Sequence, residues 1–216
     1  MFARTESLKQ YIRLYPVTTA LIVIHLILMG LMEWYGSSRD TETLLRFGAL
    51  FELPGVTTEP WRYVSAIFLH IGFSHLLFNS FTLYVFAPPL EIMLGRWRYV
   101  LFYLISGIAG NIASMWLHPD YFVSAGASGA IYGIYAAYLY LAIFRRDIID
   151  KQTKQTIVTI IVIGFLYSVI VPNIDLYAHF GGFAGGFITI ALIALSIKRR
   201  YRNRIERQEP GEHAQE

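Results

Sequence analysis

Two polar residues stand at the heads of long apolar runs, where acyl-transfer chemistry could be built. Ser128 lies in Gly126-Ala127-Ser128-Gly129 and His179 in Ala178-His179-Phe180-Gly181-Gly182. A serine hydroxyl is a poor nucleophile at its free pKa and needs a base. His179 is placed to serve, whereas His25 falls in the middle of the first apolar run, His118 stands beside Pro119 in a connection, and His213 belongs to the polar tail. His75 and Asn79 are four residues apart, hence on one face of a helix, and could donate hydrogen bonds to the oxyanion such an attack creates. Each residue also has a plainer use: Ser128 as a small residue in a Gly/Ala-rich packing face, Asn79 as interhelical glue. Against that, strongly polar side chains are costly in hydrocarbon and mark functional sites by default.

The elements that must position them are membrane helices. With 216 residues, 55% of them hydrophobic and 15% charged, the chain is too apolar for a soluble domain. Nearly uncharged stretches at 17–32, 63–90, 99–117, 125–144, 157–171 and 176–197 predict six spans, the fifth extended at its start by 154–156. Fifteen of the eighteen Lys and Arg residues fall before the first run, between the second and third, between the fourth and fifth, and after the sixth. Basic residues are retained on the cytoplasmic side, which predicts cytoplasmic termini. The expected architecture is an all-α membrane protein, a six-transmembrane-helix bundle. It comprises a cytoplasmic N-terminal segment (1–15), the membrane domain (16–197), and a basic, then polar, tail (198–216) expected to be disordered beyond its first turn. The basic start of the tail suits anionic membrane lipids rather than nucleic acid. The first run lacks a small-residue cleavage site and is expected to be retained. With no cysteine, disulfides, thiolate metal sites and a cysteine nucleophile are excluded, and no cofactor or metal is expected.

In this topology spans two, four and six all run inward from the outer face. His70 and His75, Ser128, and His179 are then predicted to converge at one depth below the outer surface. His179, Gly182 and Gly186 share one helical face, and Gly129, Gly133 and Ala137 make a small stripe beside Ser128. Small residues at such spacings let helix backbones approach closely in lipid.

Together these residues resemble the rhomboid family of intramembrane serine proteases, over nearly the whole folded chain. The carrying motifs are Trp61-Arg62, then His70 with His75-Leu76-Leu77-Phe78-Asn79, Glu91 and Gly95, Gly126-Ala127-Ser128-Gly129, and Ala178-His179 with Gly182 and Gly186. The resemblance implies a dyad of Ser128 as nucleophile and His179 as general base. It implies an oxyanion hole from His75, Asn79 and the Ser128 N–H, with Tyr132 packed on the His179 ring and His70 in support. Trp61 and Arg62 would belong to a long first outer loop with a structural role. The implied substrates are transmembrane proteins, cut at a small residue near helix-weakening residues. Entry would be gated by span five and by 171–177, where Pro172 and Asn173 break the helix. Asp175 is read as a cap or interfacial residue, since the resemblance implies a dyad. The distribution of basic residues and the lack of a transit peptide favour a bacterial plasma membrane, with the site opening to the extracytoplasmic side. One departure is Glu91-Ile92-Met93-Leu94-Gly95, apolar where some relatives carry a basic residue.

Other mechanisms fit less well. There is no His-Glu-x-x-His, all five aspartates fall outside span centres, and residue 130 is alanine where the soluble-hydrolase elbow needs glycine. No inverted repeat or intramembrane carboxylate pair suggests a transporter. The remaining alternative is a non-catalytic rhomboid-fold protein that binds transmembrane clients. Loss of the serine or the histidine would favour it, and both are present.

Overall fold

A computed structural model describes residues 2, 4–119, 121–145, 147–171 and 174–208. The N-terminal segment forms α1 (Leu8–Leu14), opened by a capping box in which Ser7 and Gln10 exchange side-chain and backbone hydrogen bonds. Pro16 then starts α2 (Pro16–Tyr35), a favourable first position because its missing N–H would otherwise be unpaired. The next donors meet the buried Glu91, whose carboxylate accepts from the N–H groups of Val17 and Thr18 and from the Thr18 hydroxyl at 2.7–2.9 Å. An anion at the positive end of a helix is favourably placed. The first connection carries α3 (Thr41–Phe47), β1 (Leu50–Glu52), α4 (Arg62–Ser65) and a 3-10 turn at Ala66–Phe68. There follow α5 (Phe73–Leu94), α6 (Arg96–Leu117), β2 (Phe122–Ser124), α7 (Ser128–Phe144), α8 (Lys151–Ile170) and α9 (Leu176–Gln208).

Among the described residues, five helices are long and apolar enough to cross a membrane: α2, α5, α6, α8 and the Leu176–Arg200 part of α9. The shorter α7 is also apolar, at 17 residues. Phe78, Phe81, Ile163, Val169, Ile188 and Leu192 are exposed, as side chains facing lipid would be, and Trp34, Trp97 and Trp116 project near helix ends. The chain is a mostly helical, multi-pass membrane protein.

Three boundaries differ from the expectation. The run at 63–90 is not one helix, because α4 and the 3-10 turn occupy its start and the chain is extended at Leu69. Gly72 has φ 80°, a left-handed conformation that suits glycine, and α5 begins only at Phe73, so His70 precedes the helix. Residues 125–127 lie outside α7, leaving Ser128 as its first residue. At the other end α9 continues through 198–208, so the start of the tail is helical despite its polarity. Lys, Arg, Glu and Gln are good helix formers, and extending an existing helix avoids the cost of nucleation. Residues 209–216, and Pro172 and Asn173, lie outside the described residues.

Two prolines inside α5 leave carbonyls without their helical donors. Pro88 cannot donate to Tyr84, and the Tyr11 hydroxyl of α1 donates to that carbonyl instead at 3.0 Å. On the opposite side, β1 pairs antiparallel with β2, matching Leu50 to Ser124 and Glu52 to Phe122. The pairing ties the first connection to the segment that enters α7. Between these ends, α6, α7 and α9 pack backbone against backbone.

Candidate active site

Ser128 begins α7, where the first N–H groups lack intrahelical partners and the dipole end is positive. The preceding turn is held by the Gly126 N–H, which donates to Ala66 O at 2.9 Å. A methyl group on Gly126 would fall 2.7 Å from Cε1 and 3.1 Å from Nε2 of His75, and 3.5 Å from Ser128 Oγ. Glycine at 126 therefore admits the His75 ring beside Ser128. Asn79 is buried on the same face of α5, and its Nδ2 donates to His75 O at 2.9 Å. That bond uses one of the two amide hydrogens.

His179 sits in the first turn of α9, opened by Asp175. One Asp175 oxygen accepts from the Ala178 N–H at 2.9 Å, a helix cap. The other accepts from Ser114 of α6 at 2.5 Å and Ser124 of β2 at 2.8 Å. Asp175 thus pins the start of α9 to its neighbours.

The two helices meet with almost no side chain between them. A methyl group on Gly182 would fall 2.1 Å from the Gly129 carbonyl oxygen, and one on Gly186 would fall 2.4 Å from Gly133 Cα. Gly129 also abuts Ala178, its missing methyl lying 3.4 Å from Ala178 O. The residue after Ser128 therefore touches the residue before His179.

His179 is 6% exposed, and Tyr132 stacks on its ring at 4.1 Å with the planes 12° apart. Its Nδ1 lies 2.7 Å from the hydroxyl of Ser168 on α8. Ser168 Oγ is also 2.8 Å from the Tyr132 hydroxyl and donates to Gly164 O at 2.8 Å.

The remaining predicted residues are placed further out. His70 is fully buried between His25 and His75, with ring centroids 4.8 and 5.2 Å away, and neither of its ring nitrogens has a hydrogen-bond partner among the described residues. Arg62 holds the first connection: it donates to Leu45 O at 2.7 Å and Ala49 O at 3.0 Å, pairs with Glu59 at 2.6 Å, and lies over the Phe51 and Trp61 rings. Trp61 packs on Gly48, whose φ of 103° and lack of a side chain leave room for the indole. Among the described residues, no group of three His, Cys, Asp or Glu could hold a metal.

Residues 57–196 match the Rhomboid domain family. This chain belongs to the rhomboid family. It is 40% identical over 205 residues to the candidate rhomboid protease YdcA of Bacillus subtilis, covering 93% of this chain and 100% of that protein. It is 39% identical over 178 residues to the rhomboid protease GluP of the same organism, covering 82% of this chain and 35% of GluP. It is also 35% identical over 163 residues to RHOMBOID-like protein 5 of Arabidopsis thaliana, covering 74% of this chain and 53% of that protein. The chain thus spans all of the first relative but about a third and a half of the other two. It is a homologue of rhomboid serine proteases.

Sequence reasoning about this rhomboid missed three residues. Ser168 is not among the residues singled out in the sequence, although Gly164 and Ser168 at four-residue spacing mark one helical face. His25 was set aside as a mid-span histidine and is buried against His70. Glu91, seen only as part of a motif, caps α2 from another helix. Its partners are 73 and 74 positions away, so no local pattern reveals them.

Proposed function

We propose that the chain is an intramembrane serine endopeptidase that cuts transmembrane protein substrates in or near their membrane segments through Ser128 and His179. The observation that carries the reading is the backbone contact of Gly129 with Ala178 and Gly182, which brings the head of α7 against the first turn of α9. His179 takes the Ser128 proton, the hydroxyl oxygen attacks the scissile carbonyl, and the protonated imidazole returns that proton to the leaving amine. Water then resolves the acyl-enzyme by the reverse roles. The Ser128 N–H, the His75 ring beside it and the second amide hydrogen of Asn79 serve the developing oxyanion. Tyr132 fixes the plane of the His179 ring. His70 supports His75 through ring contact, and Trp61 and Arg62 act by holding the outer connection.

Counting α7 as a sixth span, the basic residues place both termini in the cytoplasm and Ser128 toward the extracytoplasmic side. The Bacillus relatives support a bacterial plasma membrane as the setting. The test is cleavage of a single-pass membrane substrate by protein reconstituted in liposomes, beside Ser128→Ala and His179→Ala. Cleavage lost in both folded variants is the expected result. A parent inert toward several substrates and unreactive with a fluorophosphonate overturns the enzyme reading and points to client binding.

A further inference from the structure

The Ser168 hydroxyl has three oxygen or nitrogen neighbours at 2.7–2.8 Å: Gly164 O, the Tyr132 hydroxyl and His179 Nδ1. A hydroxyl has one hydrogen to donate and two lone pairs to accept with. Gly164 O is a carbonyl and can only accept, so the Ser168 hydrogen points along its own helix, an ordinary back-bond four residues away. Both lone pairs of Ser168 are then left to accept, one from the Tyr132 O–H and one from a hydrogen on His179 Nδ1. The opposite arrangement, with Ser168 donating to Nδ1, would face two oxygens lone pair to lone pair at 2.8 Å. One assignment alone satisfies all three contacts.

We infer that Ser168 is a positioning residue that holds the hydrogen of His179 on Nδ1 and leaves Nε2 bare. This rests on the proposed role of His179 as base. The bare Nε2 receives the Ser128 proton, and the Nδ1–H stays bonded to Ser168 as the ring becomes charged. A neutral hydroxyl, polarised by a carbonyl and a phenol, thereby does the orienting that a buried carboxylate does in a Ser-His-Asp triad. The site is shaped for it. Ser168 is 4% exposed, one of three buried residues on α8 with Thr153 and Ile157. Gly164 has no side chain where the Tyr132 hydroxyl comes in, and a methyl group there would lie 3.0 Å from that oxygen. Asp175 bonds the Ala178 N–H, Ser114 and Ser124, while Nδ1 of His179 is met by Ser168.

The decisive measurement is ¹⁵N NMR of histidine-labelled protein in lipid nanodiscs under alkaline conditions, with the His179 signals identified by their loss in His179→Ala. In the parent, Nδ1 carries the hydrogen and Nε2 does not; a hydrogen found on Nε2 overturns the inference without any variant. Ser168→Ala should mix the two tautomers and lower kcat roughly 10- to 100-fold with KM within twofold, since a general base contributes at least that much. Ser168→Thr, which keeps the hydroxyl, should restore both. A folded Ser168→Ala protein with kcat within twofold of the parent refutes the role. Failure of the underlying reading is distinct: either the parent itself is inert, or His179→Ala still cleaves.

Discussion

Replacing Gly182 by alanine should separate α7 from α9. The added methyl would sit 2.1 Å from the Gly129 carbonyl oxygen, 2.6 Å from its carbon and 2.8 Å from its Cα, all main-chain atoms that no rotamer change can move. Ordinary contact begins at 3.4 Å, so the helices must part by about 1.3 Å at this crossing. The crossing lies one turn from His179 and one residue from Ser128. A displacement of about 1 Å costs on the order of 100-fold when two groups must meet in a reactive geometry. Overpacking of this kind costs roughly 1–3 kcal/mol of stability. The assay is liposome cleavage of a single-pass substrate together with thermal unfolding, and Gly30→Ala is the control. Gly30 lies in α2, exposed and with nothing within 4 Å of an added methyl, so its variant should cleave like the parent and be no less stable. If Gly182→Ala cleaves within threefold of the parent at an unchanged melting temperature, the close crossing does not set the geometry of the site.

Asp175→Asn separates a cap from a triad acid: the asparagine oxygen still accepts from the Ala178 N–H, so a cap should leave kcat within a few-fold of the parent, whereas a triad acid would cost about 10⁴-fold. Tyr11→Phe should lower stability by about 1–3 kcal/mol, because Pro88 has already removed the helical donor to Tyr84 O and the hydroxyl replaces it; an unchanged unfolding midpoint in dodecyl maltoside with SDS would argue against that account. Glu59 answers to pH. Its hydrogen bond from Arg62 lowers the carboxyl from its ordinary 4.5, so its stabilising contribution is complete above that value and lost as pH falls through the lowered one. Protection from hydrogen exchange at 45–65, taken relative to the intrinsic amide rate at each pH, should therefore fall in acid, and Glu59→Gln should show that lower protection already at neutral pH.

The heads of α7 and α9 were legible because their sequence signals are local. Ser128 and His179 each sit among glycines, and the i, i+3, i+7 face of His179, Gly182 and Gly186 is the face that meets α7. The stacking of Tyr132 on the His179 ring was expected only from the family resemblance. The break before α5 was not legible, since an uncharged run says nothing of where the backbone bends, and the bend rests on Gly72 alone adopting a left-handed φ. Nor was the extent of α9, which runs through residue 208 where disorder was expected beyond the first turn of the tail, although the helix was already nucleated. Glu91 and the β1–β2 pairing share one reason for having been missed. Each is a contact between segments far apart in the chain, with no periodicity to announce it.

The glycine crossing also divides the proposed site into an inflexible half and an adaptable one. Where α6, α7 and α9 touch through main chain, there are few rotamers to reshuffle, so evolution or a protein engineer has little material there for accommodating a new peptide. Variation is left to α8, whose outward surface is side chain and whose buried attachments are few. Yet α8 also carries the hydroxyl against the imidazole. Attempts to broaden substrate choice by remodelling this helix would therefore trade against turnover, and selections for new specificity should recover changes clustered on the faces of α8 away from Gly164 and Ser168.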